Sequence, residues 1–388
     1  MLRAEALIRE ASQPLPSDRQ SVAVGVTPAY LNQFDEPSGY LDFARFGPVS
    51  ADVSEVLVRA ARTIRSQGHP ALAAFEAEQA RTVAAGAALL GAAPHEVALV
   101  SSTSHGMFAA AHALRGPGTV LVSRSDFPAA VYPWLRAAER GGLGVRELDG
   151  PVTADTVRAR LDDGVRAVSV CAVDALTGFR TPLAEIKEVI GPRRVLVVDA
   201  VQALGAVETD ADAADLLACG GQKWLRSGWG AALLLVRDRV AGLLEPGLGG
   251  WSGVHDPLGG LAHPRPALPG AVAHTFTNPD GPAVAALGAG LALVHRVGVG
   301  RIAARIAEAL GSLLDAARSA GAEVAAPGGG GIGRLRLPGA DPAAVQGQLA
   351  AAGLSTTQRG DWIRLAPHAT TPRATAHRLA EALRAVRR

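Results

Sequence analysis

Between residues 97 and 207 the chain alternates short, unbroken apolar runs with amphipathic stretches, and no other feature narrows its possible folds as much. VALVSSTS (97–104) precedes HGMFAAAHAL, GTVLVSRSDFP precedes AAVYPWLRAAERGG, and GVRELDG precedes TADTVRARLDDG. VRAVSVCAVDALTG then leads into PLAEIKEVIG, and RRVLVVDAVQALG closes the series. Strands that are apolar on both faces, separated by helix-length segments, predict a parallel sheet covered by helices on both sides. In such a sheet ligands bind beyond the carboxyl ends of the strands. Candidate functional residues are therefore sought just past each apolar run.

The flanks read differently. Residues 1–35 form a polar, proline-interrupted N-terminal segment, followed by the extended stretch GYLDFARFGPVS. Residues 51–92 carry helical spacing of Val, Leu and Ile. From about residue 286 long helical patterns give way to strand, helix, strand, helix. The expected α/β organisation is thus a large domain over 36–285 with a mainly parallel sheet and a small C-terminal α+β domain over 286–388. The run Gly328–Gly331 is expected to be a flexible hairpin turn.

Composition removes several classes of function. Hydrophobic residues make up 48% and charged residues 19%, which suits a globular protein with ample core. The net charge of +2 comes from scattered arginines with no basic run, so no nucleic-acid partner is expected. No apolar run is long enough for a membrane span, and the first twenty or so residues, about one signal-peptide length, lack an uninterrupted hydrophobic core. Two cysteines, Cys171 and Cys219, cannot build a disulfide framework or a thiolate zinc cage, so no metal is expected and the reducing cytoplasm is the expected compartment.

The 38 basic residues include only two lysines, Lys187 and Lys223. Arginine serves elsewhere, so a lysine retained in the nearly uncharged stretch GGQKWL points to amine chemistry. In apolar surroundings a lysine loses solvation of its charged form, and the free amine can form an imine. Asp199 ends the apolar run VLVV, where a carboxylate is costly without a partner. An anion there can hold the protonated nitrogen of a pyridine ring, and Gln202 can offer an amide to the ring's phenolic oxygen. Ser102, Thr103 and Ser104 form a hydroxyl-rich turn before a helix, either a phosphate cradle or ordinary capping. Phe127, in the SDFP turn, suits stacking on a flat heteroaromatic ring or core packing. Arg364, in WIRLAPH, offers a fork for a carboxylate.

Taken together, these residues resemble the class V aminotransferases, pyridoxal 5′-phosphate enzymes of the aspartate-aminotransferase fold. The resemblance runs from YLDFARFGPVS to WIRLAPHATTPRATAHRLAEAL and centres on DAVQALG, a helical turn, and GGQKWL. It implies that Lys223 is the imine lysine, that Asp199 and Gln202 hold the ring, and that Ser102, Thr103, Ser104 and Gln222 hold the phosphate. Phe127 becomes the ring stacker, as in the kynureninase-like branch, and Arg364 the carboxylate arginine. Thr277, within HTFTNPDGP, is the candidate to reach the phosphate of a second subunit, with Asn278 or Asp280 as substitutes, which implies a homodimer. Phe43 and Arg45 stand where desulfurases carry small residues, suggesting substrate contacts at the pocket mouth. His105 follows the phosphate turn, where many relatives have Glu.

The chain has no cysteine after Cys219, whereas iron–sulfur-type desulfurases carry a catalytic cysteine in the small domain. The resemblance therefore implies carbon–sulfur bond cleavage or decarboxylating deamination of an S-substituted cysteine in specialised metabolism, as in the C–S lyases of ergothioneine and lincosamide pathways. Transamination or epimerisation of an amino acid is the alternative. Kynureninase-type cleavage and a catalytically silent binding module are more remote.

Overall fold

The computed structural model describes residues 26–259 and 263–386. The stretch read for a secretory signal, and most of the N-terminal segment, lie outside the described residues.

A seven-stranded sheet forms the centre: β1 (Val97–Val100), β2 (Gly118–Ser123), β3 (Leu143–Leu148), β4 (Val165–Cys171), β5 (Val195–Asp199), β6 (Leu216–Gly220) and β7 (Ala232–Val236), in the order β1-β7-β6-β5-β4-β2-β3. Neighbours from β3 through β6 pair in parallel, and β7 runs antiparallel to both β6 and β1. Two reversals return β1 to the direction of β6, so the carboxyl ends of β1, β2, β4, β5 and β6 share one edge. The apolar runs become these strands because both faces are covered, and β4 to β7 are buried almost throughout. The helical turn expected between DAVQALG and GGQKWL is instead a short 3-10 turn followed by β6, whose DLLACG run is too brief to show a period.

Helices line the sheet. They begin with α1 (Pro28–Leu31), α2 (Ala51–Gln67) and α3 (Ala71–Leu90), followed by α4 (Thr103–Ala113), α5 (Pro128–Glu139), α6 (Ala154–Arg158) and α7 (Leu183–Ile190). α8 (Gly281–Val297) packs on α2 and α3 and meets α9 (Val299–Ser319) at an 83° bend. The expected boundary at 285–286 thus falls inside α8, and the bend at Gly298 is where we propose to divide the chain. No single helix among the described residues is long and apolar enough to cross a membrane.

A second sheet, in the order β10-β11-β9-β8, contains β8 (Glu323–Val324), β9 (Gly333–Arg336), β10 (Thr357–Arg359) and β11 (Trp362–Leu365), with α10 (Pro342–Ala351) and α11 (Ala374–Val386). The glycine run links β8 to β9 but is docked rather than loose. Gly328 accepts from Arg180 N at 2.8 Å and Gly330 N donates to Gly178 at 2.9 Å. A Cβ on Gly328 would stand 2.4 Å from the Gly178 backbone, so side chains are excluded by the close approach of two chains. Residues 40–43 add to this small sheet from outside, with Leu41 N donating to Ser355 O and Phe43 N to Ala366 O.

Candidate active site

The shared strand edge gathers most of the expected residues. Asp199 ends β5 and is 2% exposed. One of its oxygens accepts from Val201 N at 3.0 Å, and the other has no protein partner among the described residues. Burial raises its carboxyl, opposed by the Val201 N–H and by the charge of Lys223. A cation brought to its free oxygen, as a protonated ring nitrogen would be, favours the ionised form of this acid against that burial.

Lys223 lies three residues past β6. Burial lowers its amine, Asp199 pulls in the opposite direction, and Arg364 adds to the lowering. Nζ makes no hydrogen bond or ion pair among the described residues; it stands 5.6 Å from the centre of the Phe127 ring. Phe127 precedes α5 and is 51% exposed, leaving a ring face available. An unpartnered amine whose charged form burial disfavours, a buried acid with a free oxygen and an open aromatic face fit a pyridoxal ring.

At the other end of this edge, Ser102 caps α4 by accepting from His105 N at 3.1 Å, while Ser104 is exposed. The buried Thr103 hydroxyl accepts from Gly220 N at 2.9 Å and keeps its own proton to give. Gln222 folds against the same place, since a Cβ on Gly220 would meet its Oε1 at 2.2 Å and the Thr103 hydroxyl at 3.0 Å. Capping is realised, and the remaining amides at the start of this eleven-residue helix suit the proposed phosphate cradle. His105 stacks on Phe276 with centroids 4.2 Å apart, its Nδ1 next to Ser101 and its buried Nε2 without a partner among the described residues.

Gln202 is more committed than expected. Its carbonyl accepts from Trp224 Nε1 at 2.8 Å and its amide donates to Ala44 O at 2.9 Å, leaving one N–H for a ligand.

Two expectations require revision. Phe43 is fully buried, stacked on His368 at 4.8 Å and near Trp224 at 6.4 Å, so it is core behind the lysine turn rather than a residue at the pocket mouth. Its neighbour Arg45 does stand exposed. Asp280 caps α8 through Ala283 N at 2.9 Å, which removes it from phosphate duty. Thr277 is exposed and lines a cavity of about 300 Å³, with Gln79, His95, Ser252 and Asn278, whose walls include neither Lys223 nor Asp199.

Arg364 is 5% exposed and already engaged. Nη2 pairs with Asp42 at 2.8 Å, Nη1 donates to Ala175 O at 2.8 Å, and buried Nε has no partner among the described residues. Asp42 also accepts from Thr357 at 2.7 Å. Asp126, beside Phe127, accepts from Cys171 N at 2.9 Å. Burial pushes its carboxyl up to about 7, with Asp174 and Asp199 adding and the Cys171 N–H opposing. Asp174 itself holds the turn at Leu176 and Thr177. Sequence reasoning passed over Asp42, Asp126 and Arg226; the positive φ of Arg226, 53°, has no signature in its residue type. Such a backbone costs about 1–2 kcal/mol for a residue with a Cβ.

Residues 47–323 match the family described as Aminotransferase class-V. The chain belongs to that family, and it is a pyridoxal-phosphate-dependent enzyme acting on amino acids. It is 29% identical over 293 residues to the uncharacterized aminotransferase YcbU of Bacillus subtilis, covering 73% of this chain and 76% of the relative. It is 33% identical to a kynureninase of Deinococcus radiodurans over 57% of this chain, which spans 55% of that relative's length. In fold it is similar to the cystine C–S lyase C-DES, with a TM-score of 0.80 at 20% identity over 89% of this chain and 97% of that one. A cysteine desulfurase from Thermococcus onnurineus gives 0.79 at 18% identity, over 90% and 94%.

Proposed function

We propose that the enzyme cleaves the carbon–sulfur bond of an S-substituted cysteine by β-elimination, or performs the related decarboxylating deamination, in specialised metabolism. The observation that carries this reading is the pairing of an assembled amine site with two cysteines that cannot serve as nucleophiles. Cys171 and Cys219 are both buried, and burial drives both thiols upward, so no thiolate is offered to take sulfur from the substrate.

Bound at Lys223, the cofactor supplies a sink for the electron pair left when a bond at the α-carbon breaks. Asp199 holds positive charge at the ring nitrogen. The lowered Lys223 amine is suited to take the α-proton at Nζ. Arg364 receives the α-carboxylate through N–H groups not used by Asp42 and Ala175. Phe127 covers one ring face and keeps water from it. The electron pair left at Cα then forms the Cα–Cβ double bond as the sulfur departs with the Cβ–S pair.

Thr277, exposed on its loop, suits contact with the phosphate in a second copy, and we read the enzyme as a cytoplasmic homodimer. Amino transfer or epimerisation is the second reading, favoured by the YcbU likeness and by 29% identity to an isopenicillin N epimerase of Streptomyces clavuligerus over 40% of this chain. A panel of S-substituted cysteines and plain amino acids separates them. Pyruvate and ammonia without an acceptor support elimination; an absolute need for a keto acid overturns it.

A further inference from the structure

Arg226, three residues after Lys223, is an arginine in a left-handed backbone, φ 53°, and is 2% exposed. Such a conformation persists only where its surroundings hold it, and here they do so from several directions. Its backbone N–H closes the turn onto Lys223 O at 3.1 Å. The guanidinium donates to Pro48 O at 2.7 Å and to Thr370 Oγ1 at 3.3 Å, and pairs with Glu36 at 2.5 Å. Its carbon lies 3.4 Å from the centre of the Phe34 ring and 5.0 Å from that of Phe43. Phe34, Glu36 and Pro48 belong to the segment before α2, and Thr370 follows β11. The turn thus meets two other parts of the chain at one side chain.

The same segment also grips the lysine turn through its backbone. Gly47 N donates to Gln222 O at 2.9 Å, and a Cβ on Gly47 would stand 1.9 Å from Lys223 O. The Asp42–Arg364 pair again joins this segment to the small sheet. Amine and carboxylate-binding arginine therefore share residues 34–48 as a common reference.

We infer that Arg226 is the positioning residue of the Lys223 amine, clamping its turn to residues 34–48 and to the Thr370 loop so that the aim of Nζ depends on both being docked. The inference rests on Lys223 being the cofactor-bearing amine. It adds that a residue touching neither cofactor nor substrate sets where that amine points. A buried, paired charge can serve such a registering role where apolar packing would hold less specifically.

The test compares wild type with Arg226→Gly, which tolerates the backbone conformation, and with Thr370→Val, which removes the hydroxyl's ties to Arg226 and Glu36 while leaving the Arg226–Glu36 pair in place. Cofactor-free protein is reductively methylated with formaldehyde and borohydride and read by mass spectrometry. Lys187, held by Asp215 at 2.6 Å and by Arg194 O at 3.0 Å, is the internal reference. Labelling of Lys223 relative to Lys187 should rise several-fold in Arg226→Gly and less in Thr370→Val. In loaded enzyme kcat should fall with KM nearly unchanged. A lower melting temperature with the labelling ratio and kcat at wild-type values overturns the inference; if Arg226→Gly does not fold, an unchanged ratio in Thr370→Val does so. A shifted ratio in a protein that never takes up cofactor at Lys223 leaves the positioning role standing and removes the functional reading instead.

Discussion

Asp42 and Arg364, 322 residues apart, form an ion pair 2.8 Å long in which both side chains are more than nine-tenths buried. The arginine expected to receive a substrate carboxylate thus already has one from its own chain. Removing a single partner of a buried pair strands the other charge. Arg364→Ala should therefore lower stability by about 3 kcal/mol, while the double variant Asp42→Asn/Arg364→Ala recovers part of it. Amino-acid binding should stay weakened roughly tenfold to a hundredfold in both, as the loss of a charged hydrogen bond implies. Urea melts and KM together check this; a double variant that regains KM would remove Arg364 from carboxylate binding.

Lys223→Arg should fold as the wild type does yet show no visible absorbance from lysine-bound cofactor. A guanidinium stays protonated and cannot supply a free amine. Circular dichroism and the visible spectrum decide it, and an unchanged spectrum would assign the cofactor to another group.

Asp199→Ala should slow turnover by a barrier increase of about 2–4 kcal/mol, in the range known for preorganised charge. Its stability without cofactor should change little, because burial already disfavours the carboxylate there. Near-normal kcat would refute its role at the ring nitrogen.

Asp126 yields a pH prediction. Its carboxyl is pushed up to about 7 from 3.8, so the native state holds its proton longer than the unfolded chain does. The stability this contributes is complete below about pH 4 and is lost as pH rises towards 7. Asp126→Asn keeps an acceptor for Cys171 N but does not titrate. Its melting temperature relative to wild type should climb between about pH 4 and 7 and level off above. A difference that is flat across that window would show that Asp126 titrates normally.

The two lysines show how far residue type alone could lead. Lys187 meets the buried Asp215 with Arg239 on the carboxylate's other oxygen, so it was retained for a structural pair, not for its amine. Rarity singled out both, the GGQKWL stretch marked Lys223, and only the tertiary structure explains Lys187.

The parallel sheet, the strand edge carrying Ser102, Phe127, Asp199 and Lys223, and the amine itself were written into the order of residues, because burial on both faces demands continuous apolar runs and strand ends inherit their places from those runs. The long-range pairings were not. Phe43 in the core, Asp42 on Arg364, Asp126 under Cys171 and the left-handed Arg226 depend on which distant segments meet. A side chain's charge state and aim follow from neighbours that local periodicity does not specify, so only the tertiary structure decided them.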